Sequence, residues 1–150
     1  MLGRLARWLR TLGCDVLYGP NFSGRGLAEA ARRDGRIVLT RDGRWLRDRS
    51  LPKLVFIRDD RFRDQLRQVV VELGIDPWPG LFTRCADCND LVEEVDATAA
   101  EGRVPPFVLA TQPRFHRCRG CGHLYWSATH VARVHAELEG MGFMPPRETS

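Results

Sequence analysis

Long apolar runs, lysine and cysteine outside pairs are what this chain of 150 residues has least of. No apolar stretch approaches the roughly 18 residues of a membrane span. Arg4, Arg7 and Arg10 interrupt the apolar N-terminal segment, so neither a spanning helix nor a signal peptide is visible, and the cytoplasm is the expected compartment. Disorder is excluded as the main state, because 43% of the residues are hydrophobic and 28% charged. A chain of this length buries roughly 70% of its unfolded surface, so it needs no disulfide scaffold.

What the chain has in excess is arginine. Of 23 basic residues only Lys53 is a lysine, and against 19 acidic residues the net charge is +4. The excess is uneven: residues 1–80 carry 16 basic and 10 acidic side chains (+6), and residues 81–150 carry 7 and 9 (−2). Attraction for phosphate therefore belongs to the first half. The same bias also suits helices with arginine on the solvent face.

Four of the five cysteines form two pairs, Cys85-x-x-Cys88 and Cys118-x-x-Cys121, with 29 residues between them. Each pair places two thiolates one turn apart, and two pairs complete a tetrahedral shell for structural Zn²⁺. With all four positions filled by thiolate, no place remains for a reactive water. Leu91–Val95 and Phe107-Val108-Leu109 read as strands of a zinc ribbon. Disulfides would require an exported protein, and a redox CxxC pair would precede a helix in a βαβ unit, which neither pair does. His116, His123, His130 and His135 read as surface or packing residues, and Cys14 as a small buried one.

In the first half, Leu2, Leu5, Ala6, Leu9 and Leu12 recur at helical spacing up to Gly13. Asp15–Tyr18 reads as a short strand, and Ser23 as the cap of a helix closed by Gly35. Arg36–Thr40 and Leu54–Ile57 read as strands, and Phe62, Leu66, Val69 and Leu73 as one face of a helix ending at Gly74. Helices alternating with short apolar strands predict an α/β fold with a parallel sheet. In such sheets the functional crevice lies beyond the carboxyl ends of the strands. Asp42 follows the first of these strands and Asp59 and Asp60 the second, so they are candidate catalytic acids. Their hard oxygens suit Mg²⁺ or Mn²⁺ in phosphodiester hydrolysis, although aspartate is also common in turns.

Met1–Arg10, the segment from Gly35 to Asp42 ending in Thr40-Arg41-Asp42, Gln65-Leu66, Arg84-Cys85-x-x-Cys88-Asn89, Val104-Pro105-Pro106, and Cys118-x-x-Cys121 leading to Tyr125-Trp126 and His130 occur in this order. The set resembles the Mut-seven C-terminal RNase family, a PIN-like nuclease domain with an attached zinc ribbon, over residues 1 to about 135. The resemblance implies a PIN-like parallel sheet, an acidic divalent-metal site and RNA as substrate. On it, Asp42 matches the acid of the threonine-arginine-aspartate motif, and Asp59 or Asp60 falls in the acidic stretch before the glutamine-leucine pair.

Family members carry a strand ending in aspartate just before the methionine-leucine-glycine segment, with which this chain starts. That implies a missing first strand and ligand, whether through a fragment, a misassigned gene start or loss of metal-dependent cleavage. A second acidic position is taken by Gly24, with Glu29 one turn further on. The expected organisation is a PIN-like RNase domain over 1–80, a zinc ribbon over 81–135 and a tail over 136–150, with Pro77–Gly80 marking the break. The expected function is a divalent-metal-dependent ribonuclease with Arg4, Arg7, Arg10 and Arg41 contacting RNA phosphates. The alternative is a non-catalytic RNA-binding or protein-interaction module.

Overall fold

The computed structural model describes residues 2–126 and 128–147. Met1 of the N-terminal motif, Ser127 of the predicted ribbon and residues 148–150 of the predicted tail lie outside the described residues. The chain divides into two compact units, Met1–Leu9 with Val16–Asp76, and Arg10–Asp15 with Pro77–Ser150. Helix α1, Gly3–Thr11, runs through the change from one unit to the other.

The first unit is mixed α/β. Its strands β1 (Ile37–Thr40) and β2 (Lys53–Phe56) pair in parallel, with Ile37 opposite Lys53 and Thr40 opposite Phe56. Between them the chain makes a 3-10 turn at Gly43–Arg47. Helix α2 (Gly24–Asp34) precedes β1, and α3 (Phe62–Leu73) follows β2. Both helices stop where expected: Gly35 and Gly74 take left-handed φ values of 65° and 62°, and their N–H groups return to carbonyls of the last turn. Ala28, Ala31, Val38 and Leu51 form a buried cluster with Leu27, Trp45 and Leu54 against it. The alanines let α2 lie close to the strand. Also buried are Leu5 and Leu9 of α1 and Leu66 and Val69 of α3, at the periodic apolar positions of those helices, together with Val55 of β2 and Ile57 just after it.

Two local expectations change. Asp15–Tyr18 is not a strand: it is part of neither sheet among the described residues, and Tyr18 is exposed. Alternating apolar residues make a strand only where a neighbour takes their backbone groups. Ser23 does occupy the cap position of α2, but its hydroxyl donates to the Pro20 carbonyl at 3.1 Å and accepts nothing from the helix.

In the second unit, strands β3 (Val92–Val95), β4 (Phe115–Cys118) and β5 (Leu124–Tyr125) form an antiparallel sheet in that order. Helices α4 (Ala97–Ala100) and α5 (Pro106–Thr111) connect β3 to β4, and α6 (Ala128–Gly140) follows β5. Ala100, Val104, Phe115 and Leu124 make the core, with Val95, Val108, Leu109 and Trp126 packed on it. Phe107-Val108-Leu109, expected as a strand, lies inside α5. Pro106 at its first position has a φ already suited to a helix and no N–H to lose. Leu138 and Met141, in the span expected as tail, are buried, and the Phe143 N–H donates to Leu138.

Candidate functional site

The strands and turns of the second unit bring Cys85, Cys88, Cys118 and Cys121 together, their sulfurs all within 4.8 Å of one another. Cys118 ends β4 opposite Val92, which ties the second pair to the strand that follows the first. Cys85 Sγ lies 3.7 Å from Cys121 Sγ, and Cys88 Sγ 3.2 Å from Cys118 Sγ. A tetrahedron with Zn–S bonds of about 2.3 Å has S···S edges of about 3.8 Å, so this thiol set fits a zinc-sized ion with only small movement. The four cysteines could therefore hold a metal such as zinc, in the arrangement of a zinc ribbon. Among the described residues this is the one group of three or more His, Cys, Asp or Glu side chains so placed.

The two cysteine turns share two backbone hydrogen bonds. The Asn89 N–H donates to the Cys85 carbonyl at 2.9 Å, and the Gly122 N–H to the Cys118 carbonyl at 3.1 Å. One residue later, the carbonyls of Asp90 and His123 accept from the N–H groups of Cys85 and Cys118. Asn89 and Gly122 both need left-handed φ, 76° and 77°. Asparagine and glycine are the residues that tolerate it. In the second turn the N–H groups of Gly120 and Cys121 point at Cys118 Sγ, 3.3 and 3.4 Å away.

Burial opposes ionisation of Cys118, but those N–H groups and the neighbouring Cys88 and Cys121 thiols outweigh it and lower its pKa. Cys88 is pushed the other way, by burial first and then by the thiols around it. Thiols this close cannot all ionise unless a cation joins them, which is the service a bound Zn²⁺ performs.

Side chains brace the first turn. Arg10, expected at the phosphate surface, is only 8% exposed, and its guanidinium donates to the carbonyls of Ala86 and Asp87 at 3.1 and 3.2 Å. Arg84 donates to the carbonyls of Gly13 and Asn89, and the Asn89 amide to Asp15. The Tyr125 hydroxyl lies 2.8 Å from Cys85 Sγ, and burial raises its pKa. His123 sits 3.2 Å from an Asp87 oxygen and against the Tyr125 ring. The left-handed positions were legible as the fourth residue after each first cysteine, Asn89 and Gly122. Arg84 and Tyr125 stand in the motifs that carry the family resemblance, though nothing there gave them these roles, and the role of Arg10 had no sequence signal.

In the first unit, the parallel register Thr40 opposite Phe56 puts Asp42, Asp59 and Asp60 beyond the same carboxyl edge. Asp42 caps the Gly43–Arg47 turn, accepting from the Arg44 N–H at 3.0 Å. The Arg44 guanidinium also grips its carboxylate at 2.6 to 3.0 Å, which holds the Asp42 pKa below the usual range. Asp60 pairs with Arg41. The carbonyls of Asp59 and Asp60 accept from the buried Gln65 amide at 2.8 and 3.4 Å. Carboxylate oxygens are the right donors for Mg²⁺ or Mn²⁺. Asp42 and Asp60 nonetheless each hold a guanidinium, and the acids share an edge without forming a ligand cluster. Arg4 is exposed, its guanidinium carbon 3.8 Å over the Phe62 ring, and Arg7 is exposed on α1.

No helix among the described residues is long and apolar enough to cross a membrane. Neither the curated proteins nor the solved structures include a match to this chain. A family model described as the Mut7-C RNAse domain matches residues 1–138, a span that takes in the acidic edge and both cysteine turns. The chain belongs to the Mut7-C RNAse domain family.

Proposed function

We propose that this protein is a divalent-metal-dependent ribonuclease that works at the carboxyl edge of β1 and β2, with a structural Zn²⁺ on its four paired cysteines. The observation that carries this reading is the parallel register of Thr40 and Phe56, which sets Asp42 and the Asp59-Asp60 pair at one edge in a member of an RNase family. Asp42 with Asp59 or Asp60 would hold Mg²⁺ or Mn²⁺, leaving sites for waters and an RNA phosphate. When bound, the ion supplies charge for the phosphoryl oxygens and a more acidic water.

The chain's own residues do the rest. Gln65 fixes the backbone that carries Asp59 and Asp60. Arg44, 90% exposed in its side chain, is free to release Asp42 at little cost, because exposed ion pairs contribute little. Arg41 and Arg44, once exchanged from the carboxylates, are placed to take phosphate oxygens. Arg4 and Arg7 extend that contact along α1. The zinc site takes no part in cleavage, since four thiolates close its shell.

A second reading, RNA binding without cleavage, is favoured by the pairing of Asp42 with Arg44 and of Asp60 with Arg41, which neutralises both acids. Labelled single-stranded RNA under a Mn²⁺ titration separates the two. The ribonuclease reading expects cleavage by the wild type that disappears in Asp42→Asn while RNA affinity is retained. Binding without cleavage at any Mn²⁺ concentration supports the second reading. Equal cleavage by both proteins would place the activity elsewhere and overturn the assignment of Asp42.

A further inference from the structure

We propose that the cavity at the start of α3 is a stacking subsite for one unpaired nucleobase of single-stranded RNA, laid on the outer face of the Arg4 guanidinium, which Phe62 backs. This rests on RNA being the ligand, as proposed above, and adds how the strand is gripped beside the acidic edge. The cavity has a volume of about 480 Å³ and is open to solvent. Arg4, Asp60, Phe62, Arg63 and Gln65 are among its lining residues.

Its walls are flat and partly cationic. The Arg4 guanidinium carbon lies 3.8 Å over the Phe62 ring centroid and that of Arg63 5.1 Å from it. The Trp8 ring stacks on Phe62 with centroids 6.0 Å apart and planes 25° from parallel. Phe62 and Trp8 are half-buried, so this aromatic pair is not a core contact alone. Aromatic faces and guanidinium planes accept any base, because every base has a π face, and the guanidinium charge suits the adjoining phosphates.

The position of the cavity links it to the acids. Asp60 belongs both to its lining and to the carboxyl edge of β2. Gln65, 2% exposed, also lines it and ties the carbonyls of Asp59 and Asp60 to α3. A base stacked on Arg4 over Phe62 would therefore hold its own phosphate near Asp60. An unpaired base is required, since bases within a duplex offer no free face for stacking.

The test compares an end-labelled oligouridylate with a ribose-phosphate chain of equal length and charge that lacks bases, by fluorescence anisotropy without divalent ions. The wild type should bind the base-bearing strand about tenfold more tightly. Phe62→Leu should lose that preference, Phe62→Tyr should keep it, and all three should bind the abasic chain alike. Arg4→Gln, which leaves Phe62 in place, should reduce the preference as well, so the proposal survives a poorly folded leucine variant as a testable one. Equal binding of the two probes by the wild type, no binding of either, or an undiminished preference in folded Phe62→Leu would overturn the subsite. Cleavage is scored separately with Mn²⁺. Base preference without cleavage keeps the subsite and removes the ribonuclease reading, and cleavage without base preference does the reverse.

Discussion

Asn89 and Gly122 occupy the same place in two cysteine turns, with φ values of 76° and 77° and each N–H returned to the carbonyl of the first cysteine of its pair. The space around a Cβ added to Gly122 is empty, so Gly122→Ala isolates the backbone strain of a left-handed residue. The expected cost is about 1 kcal/mol in the stability of the second unit. Thermal unfolding of the zinc-loaded protein measures it, and an unchanged midpoint would show that the turn does not need glycine.

Zinc content should be one ion per chain. Apparent binding energies for such thiolate sites are about 10 to 16 kcal/mol at neutral pH, far more than this small sheet can recover by packing. Chelation should therefore unfold the second unit and make its four paired cysteines reactive, with Cys14 beside them, while the helical signal of the first unit persists. Metal analysis with thiol titration checks this, and a zinc-free protein with unreactive cysteines would count against it.

Arg10→Ala should weaken that same site from a distance. It removes a buried charged donor from the carbonyls of Ala86 and Asp87, a loss of about 1.5 to 3 kcal/mol. Zinc should leave the variant faster, which a chromogenic chelator follows in real time. Arg7→Ala, on exposed α1 surface, should leave the zinc release rate unchanged and instead lower the salt dependence of RNA binding.

Asp42 should titrate below an ordinary aspartate, because the Arg44 guanidinium and N–H hold its ionised form. Its folded pKa being depressed, the stabilisation it gives is present above the unfolded value and is lost as pH falls through the folded one. Arg44→Ala should move the titration up towards the usual range and tighten Mn²⁺ binding by freeing the carboxylate. Carboxyl NMR with Mn²⁺ line broadening reads both effects, and an unmoved titration would rule out Arg44 as the cause.

Leu66 is fully buried in α3. Leu66→Ala should destabilise the first unit by about 2 to 5 kcal/mol through lost burial and the cavity left behind. Urea unfolding followed by the helical signal would show it.

Much of this could be foreseen from local chemistry. Gly35 and Gly74 stop their helices because a left-handed cap is a property of one residue and its own turn. Val38 and Val55 lie in the strands expected of them because short apolar runs between helical segments have few other uses. The cysteine spacing announced a cluster that could hold a metal for the same reason: each pair is a local unit, and only the joining of the two units required a fold.

What local pattern could not supply was the choice of partner. Asp15–Tyr18 has the residues of a strand and joins no sheet among the described residues, while Phe107–Leu109 has them and is drawn into a helix begun by Pro106. Arg10 looks like Arg4 and Arg7 in sequence, yet it is buried against Ala86 and Asp87, residues more than seventy positions away. The side-chain types and their spacing determined which chemistry was available, thiolate for a soft ion, carboxylate for a hard one and guanidinium for phosphate. Tertiary structure decided which of these groups answer to one another, because hydrogen bonds and ion pairs depend on distance in space, and chain separation along the sequence does not set it.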